Sequence, residues 1–466
     1  MTDTYLISAV IVWSLMLIHT IRFAMRSRNR AEDVGYVITL GVISVVHILP
    51  GLHYVAFHDE YILKGGSATH LIIGLYIDFV SMVLWAGGYR WAKNQFLRNK
   101  KYSLTNNHWS KARLSFYVMS TLSVIFAILN YIMFTNFQKY GEGVRIYYET
   151  QRISRSFGIY TAFSLFATFL PTILVGLYLL CQNKKTQVYS RSFSNKKEIL
   201  LLVTICIYAI IRSFFLAQRH PIVDIFLGLV SIWYLQGQFR RIILVSASGL
   251  ILLFILSPYL EQLRSFGGGY VGLERYLVSL EKRGSFIHQE NKFYYSIANL
   301  CRRTDLAVNS GIVYDMTKST QDFALFKPYA GLIFGMIPRI IWPDRPLAGS
   351  IDGTLGGTVD ALVCKWRGIY HGVVATVGLG GSLFWEFGYV GVIIGSWITG
   401  AIAYLICLIV FRTRRLTFFC AWLVILKWGV GLTYPPDTLL WSLTRPLIAV
   451  GICEFIALIL SKVRHR

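Results

Sequence analysis

Apolar residues come in long runs along this chain, and cations punctuate them. The first run covers 5–23, followed by Val34–Phe57, 70–88, 116–137 and 157–181. Closely spaced runs cover 199–216, 222–235 and 242–260, and 383–411, 418–433 and 443–460 come last. Most approach the roughly 20 residues a helix needs to cross a hydrocarbon core of about 30 Å. None keeps the short alternating pattern of a lipid-facing β-strand. The pattern predicts an all-α polytopic membrane protein with about eleven transmembrane helices.

Charge sets the direction of each run. Arg22, Arg26, Arg28 and Arg30 lie at or after the end of the first run, and Arg90, Lys93, Arg98, Lys100, Lys101, Lys111 and Arg113 follow the third. Further clusters are Lys184, Lys185, Arg191, Lys196 and Lys197; Arg240 and Arg241; Arg412, Arg414 and Arg415; and Lys462, Arg464 and Arg466. All fall on one side when the runs are threaded in order, so the positive-inside bias predicts an external N-terminus and a cytoplasmic C-terminus. The first run lacks the preceding cations and small-residue cleavage site of a signal peptide, so it is read as a retained helix.

Between 261 and 381 lies one large external loop. Its apolar piece, 329–341, is too short to span and is predicted to be re-entrant or surface-lying. The chain thus divides into an N-terminal bundle of about eight helices (1–260), the loop (261–381) and about three C-terminal helices (382–466). No internal repeat supports a transporter built from symmetric halves.

Composition agrees with this class, since 55% of the 466 residues are hydrophobic and only 15% are charged. The net charge of +23 invites a nucleic-acid reading, but the cations sit in loops between apolar runs and report topology instead. Seven cysteines form no C-x-x-C pair. Neither a metal site nor a redox motif is indicated, and pairing of Cys301 with Cys364 in the loop stays open. No phosphate-binding G-x-x-x-x-G-K-[ST], H-E-x-x-H or G-x-S-x-G occurs, which counts against an ATPase, a zinc protease and a serine hydrolase. No cofactor is expected.

Several cations lie where a membrane face should be. Arg219 and His220 join two runs outside, and serve either as interfacial residues, with Arg212 and Asp224 bracing the turn, or as an anion site. Arg445 lies just inside the last run; it either pairs with Glu454 or Asp437 or joins an external pocket, while Lys427 reads as structural. Asp78 and His70 in the third run read as structural polar contacts of a bundle. In the loop, prolines fix the backbone around Arg339 and Arg345, and Arg264 and Arg367 are further substrate-binding candidates. His371 could accept a proton from an attacking hydroxyl, and so could Glu386 in a dry environment.

Residues 336–346 read MIPRIIWPDRP. From Ile337 through Pro338, Trp342 and Pro343 to Arg345 and Pro346 they resemble the IP-x-x-x-W-P-x-[KR]-P signature of bacterial oligosaccharide repeat-unit polymerases, the Wzy-type O-antigen and capsule polymerases. Residues 383–391, LFWEFGYVG, are similar to that family's glutamate-then-F-G-x-x-G helix start. Arg219 and Arg445 resemble its arginines in a short turn and in the closing span. The resemblance implies an inner-membrane glycosyltransferase acting at the periplasmic face. Its substrate would be an undecaprenyl-diphosphate-linked oligosaccharide, and a chain-length regulator protein would be a partner. It assigns Arg219, Arg339, Arg345 and Arg445 to the diphosphates, with His371 or Glu386 nearest the nucleophile. Two alternatives remain beside it. An O-antigen ligase places a histidine ahead of G-x-x-G, as His371 stands ahead of Gly378 and Gly381; a flippase for the same lipid would line its bundle centre with cations.

Overall fold

Among the described residues, the apolar runs of the sequence form helices. The computed structural model describes residues 2–26, 33–63, 65–97, 113–138, 166, 169–183, 200, 203–204, 206–208, 210–211, 220–235, 238–265, 273–275, 277–278, 294, 297–298, 301, 306–325, 359–366, 377–413, 415–427 and 436–464. Among the described residues every regular element is helical, with no strand. In chain order these are α1 (Thr2–Arg26), α2 (Val34–Phe57), α3 (Ala68–Leu97), α4 (Arg113–Gln138), α5 (Leu170–Asn183), α6 (His220–Leu235) and α7 (Phe239–Ser265). There follow α8 (Ala307–Thr320), α9 (Val359–Trp366), α10 (Leu379–Val390), α11 (Ser396–Thr413), α12 (Leu416–Lys427) and α13 (Pro436–Arg464).

Five stretches among them are long and apolar enough to cross a membrane: Asp3–Arg26, Val34–Phe57, Ala68–Phe96, Leu379–Thr413 and Pro446–Val463. Arg113–Leu129, Leu170–Leu179, Ile225–Tyr234 and Leu416–Leu426 are apolar but shorter. The protein is therefore all-helical with several helices of membrane-spanning length. The run 157–181 is helical among its described residues from Leu170, and the apolar piece 329–341 lies outside the described residues.

The chain forms two units. The first comprises Met1–Tyr102, Ile297–Leu408 and Trp428–Thr444. Within it α1 turns one apolar face inward, with Leu6, Ala9, Val10, Trp13 and Ala24 buried. Its other face is apolar too: Ile7, Ile11, Leu15, Ile18 and Met25 recur at helical spacing and are exposed. A stripe of that kind on a water-facing helix would be costly, and next to lipid it is the natural surface. Trp13 is fully buried, donates its indole N–H to the Leu75 carbonyl at 3.0 Å and stacks on the His47 ring at 4.1 Å, which ties α1, α2 and α3 together.

Helix α8 runs antiparallel along α3 at backbone contact. A Cβ at Gly74 would overlap the Ala307 carbonyl, and one at Gly311 would overlap that of His70. Glycine at both positions lets two helix backbones touch, the packing that small residues permit between membrane helices. Further along α3, Gly88 meets the Trp397 backbone and Gly400 meets that of Trp85 in the same manner.

The second unit comprises Ser103–Ser296, Ile409–Lys427 and Arg445–Arg466. Its central element is α12, where Leu416, Phe419, Cys420, Ala421, Trp422, Leu423, Val424, Ile425 and Leu426 are all buried. A helix apolar on every side belongs in an interior, and α12 packs on α4, α5 and α6. Close fits at Gly176 against Phe116 and at Gly228 against Val175 hold the surrounding helices together. Where α11 ends and α12 begins, Glu454 of α13 accepts hydrogen bonds from Arg415 at 2.5 Å and from Thr417 at 2.9 Å.

Candidate functional site

The best-defined candidate site lies in the first unit, where α8 and α10 both begin beside Asp78 of α3. An α-helix leaves its first amides without intrahelical partners, and its dipole makes that end attractive to an anion. At α10 these needs are met from other helices. The N–H groups of Gly380 and Gly381 donate to Asp78 Oδ1 at 2.9 and 3.4 Å. The Ser310 hydroxyl donates to Asp78 Oδ2 at 2.8 Å and accepts from the Gly378 N–H at 2.9 Å. His47 completes the set, with Nε2 3.1 Å from Oδ2 and Nδ1 2.9 Å from the Ile43 carbonyl. The sequence VGLGGS is suited to this approach, since a Cβ at Gly378 would overlap the Asp78 carboxylate and one at Gly381 would lie 2.6 Å from Ser310 Cα. Asp78 is 1% exposed, so a buried carboxylate is stabilised by donors rather than by water.

Glu386 lies two turns further along α10, also 1% exposed. The run 383–411 was expected as one helix with Glu386 near its start. The helix instead starts at Leu379 and breaks just after Glu386, at Phe387 (φ −138°, ψ 17°) and Gly388 (φ 62°, ψ −147°). Glycine alone takes the Gly388 conformation readily. The break releases two backbone carbonyls, and the segment after α8 binds them: Ala324 N–H donates to Trp385 O and Leu325 N–H to Glu386 O, both at 2.9 Å. The chain then re-enters helix through a π turn, Gly391–Gly395, a distortion often found at functional sites.

An aromatic group frames this break. Tyr314 packs on Phe384 at 4.6 Å and Phe384 on Tyr389 at 5.1 Å, while Phe323 covers Phe384 at 6.2 Å. The Tyr314 and Tyr389 hydroxyls share a hydrogen bond of 2.7 Å, and the Lys318 ammonium lies 5.5 Å over the Tyr314 ring. Tyr389 is 61% exposed. Beneath them, Val359 and Val363 of α9 pack with Val313, Val377 and Trp385. The last residue of α9, Trp366, sets its ring edge-on to His70 at 5.6 Å. The result is a buried carboxylate at a helix break, beside a surface of aromatic faces, hydroxyls and one cation.

Of the other residues singled out from sequence, Arg219, Arg339, Arg345, Arg367 and His371 lie outside the described residues. Arg264 was read as part of the large loop and instead belongs to the last turn of α7, because that helix continues past residue 260 to Ser265. Arg445 lies in α13, and the Glu454 considered as its partner is bonded to Arg415 and Thr417. Arg264 and Arg445 belong to the second unit and Glu386 to the first. Sequence reasoning passed over Ser310, Tyr314 and Lys318; the visible signal was the small-residue spacing of Ala307, Ser310 and Gly311. Among the described residues, no three His, Cys, Asp or Glu side chains gather as a metal site would require.

The architecture defines an all-helical protein with helices of membrane-spanning length. No family model, curated protein or solved structure matches the chain.

Proposed function

We propose that this protein is a polysaccharide polymerase that joins undecaprenyl-diphosphate-linked oligosaccharide repeat units at the periplasmic face of the bacterial inner membrane. The observation that carries this reading is Glu386. It is buried at a helix break beside exposed aromatic surface, within the stretch LFWEFGYVG that resembles the polymerase family's glutamate motif. The MIPRIIWPDRP resemblance supports the same reading. In the proposed topology the shorter apolar helices also cross, giving about eleven spans with the N-terminus periplasmic, the C-terminus cytoplasmic and the 261–381 region periplasmic.

In the reaction, an acceptor sugar hydroxyl attacks the anomeric carbon of the donor glycan. A new carbon–oxygen bond forms there while the bond to the lipid diphosphate breaks, and the diphosphate leaves with the electron pair. The hydroxyl proton passes to Glu386 or His371. Leaving-group charge is met by cations in a water-poor site, and the resemblance assigns Arg339 and Arg345 that role. No step calls for a cofactor. A chain-length regulator is the proposed protein partner.

The test is the surface-polysaccharide profile of a deletion strain restored with the native gene or with Glu386→Gln, membrane levels being matched by immunoblot. The native gene is expected to restore a polymer ladder, and Glu386→Gln to leave core capped with a single repeat, a loss of at least about a hundredfold if Glu386 is the general base. A full ladder in Glu386→Gln would remove the residue from the chemistry. Uncapped core with long lipid-linked polymer in the deletion strain would replace the polymerase by a ligase, and uncapped core without it would favour a flippase.

A further inference from the structure

At the far end of α3 from its first turn, cations gather where α1 ends and α2 begins. Lys93 and the buried Asp33 form an ion pair, so that charge is neutralised locally. Arg90, one turn earlier, is different. Its Nη2 lies 2.7 Å from His19 Nε2, and its guanidinium carbon lies 5.5 Å over the Phe23 ring and 5.2 Å over that of Tyr36. Two aromatic rings and an imidazole thus hold the group in place while it stays exposed. Among the described residues no carboxylate lies within ion-pair distance of it. Arg22 and Arg26 follow His19 by three and seven residues, which sets them on the same side of α1, and both are exposed.

Apolar stripes lead up to these cations. On α3, Val80, Val83 and Trp91 are exposed at helical spacing, with Gly87 between them. On α1, Ile18, Ile21 and Met25 are exposed in the turns beside Arg22. Hydrocarbon-facing surface therefore ends at a fixed guanidinium flanked by two further arginines.

We propose that this end of the α1–α3 bundle binds an anionic phospholipid, its phosphate on Arg90 with Arg22 and Arg26 alongside, and its acyl chains on the apolar stripes. The planar fork of an arginine suits phosphate oxygens, and holding it against two rings removes much of the entropy cost of binding. A zwitterionic head group would bring a quaternary ammonium among three arginines, which repel it. Inorganic phosphate would satisfy the guanidinium but gain nothing from the stripes. The inference needs only the membrane-spanning character of α1–α3 and is independent of the polymerase reading.

The test uses the full chain purified in an uncharged detergent, with its thermal unfolding midpoint followed during titration with dioleoyl phosphatidylglycerol, dioleoyl phosphatidylcholine or inorganic phosphate. Phosphatidylglycerol is expected to raise the midpoint, and the other two to leave it unchanged. Arg90→Gln is expected to weaken the phosphatidylglycerol response about fivefold, the amount one basic residue near an anionic lipid contributes. Arg90→Lys is expected to weaken it as well, because an ammonium keeps the charge without the planar fork. If Arg90→Gln does not fold, the double variant Arg22→Gln/Arg26→Gln removes exposed cations only and is expected to show at least the same loss. Equal shifts with phosphatidylcholine, an equal response to inorganic phosphate, or undiminished phosphatidylglycerol binding in the variants would overturn the proposal.

Discussion

Asp78 carries a carboxylate in the middle of an apolar helix, and its polar partners come from three other helices: His47 of α2, Ser310 of α8 and the glycine amides of α10. Ser310 and the two glycine amides each offer a hydrogen where a carboxylate oxygen can accept, and His47 Nε2 lies beside the same carboxylate. An asparagine has the same shape but turns an NH2 group toward donors. Asp78→Asn is therefore expected to lower stability by about 3 kcal/mol, through lost charge-assisted bonds and donors left facing each other. Denaturant unfolding of the purified protein in micelles checks this, and an unchanged midpoint would show that the carboxylate does not hold the helix ends. An acid in the run 70–88 was visible in sequence as a polar contact of a bundle. Its partners were not, because Ser310 and Gly380 stand 232 and 302 residues away, and no local pattern carries contacts of that range.

At the scale of elements, the break in α10 is what gives Glu386 its setting. Gly388 has φ 62°, and a Cβ there would also come within 3.1 Å of the Phe323 ring. Gly388→Ala is expected to cost about 1–3 kcal/mol in the same unfolding measurement, and to reduce polymer length in cells if the break positions Glu386. Full stability in that variant would mean that the chain relaxes around the methyl group. Hydropathy predicted a single helix here because the break falls inside an unbroken apolar run. The glycines of GYVGVIIG were legible, but only their tertiary setting shows that they build a kink and a π turn. Helix α8 escaped notice for the opposite reason. It is too polar for a span, and it packs through Ala307, Ser310 and Gly311, where the contact is backbone on backbone and leaves little apolar signal.

For the whole molecule, helices of membrane-spanning length were legible from the length of the apolar runs, and the outward apolar face of α1 supplies a test of the membrane reading. In a variant with the native cysteines replaced, Leu15→Cys is expected to react in membranes with a lipid-soluble maleimide and to resist a water-soluble, impermeant one. Rapid reaction with the impermeant reagent would place α1 in water and remove the membrane reading. The number of spans was less legible, because helices such as α5, α6 and α12 are short enough to be buried inside protein or to cross lipid, and length alone does not separate the two.

The convergence of α8 and α10 on Asp78 also has a consequence in time. On the membrane reading, α3 enters the bilayer well before Ser310 and the α10 amides exist, and at about 5–20 residues per second the 232 residues to Ser310 take roughly 10–50 seconds. For that interval an acid costing about 3 kcal/mol at a helix centre is carried by its apolar flanks and by His47, already made on the preceding helix. On that reading the nascent protein is least secure midway through its own translation, and α8 and α10 serve as the late-arriving seal on a helix inserted long before.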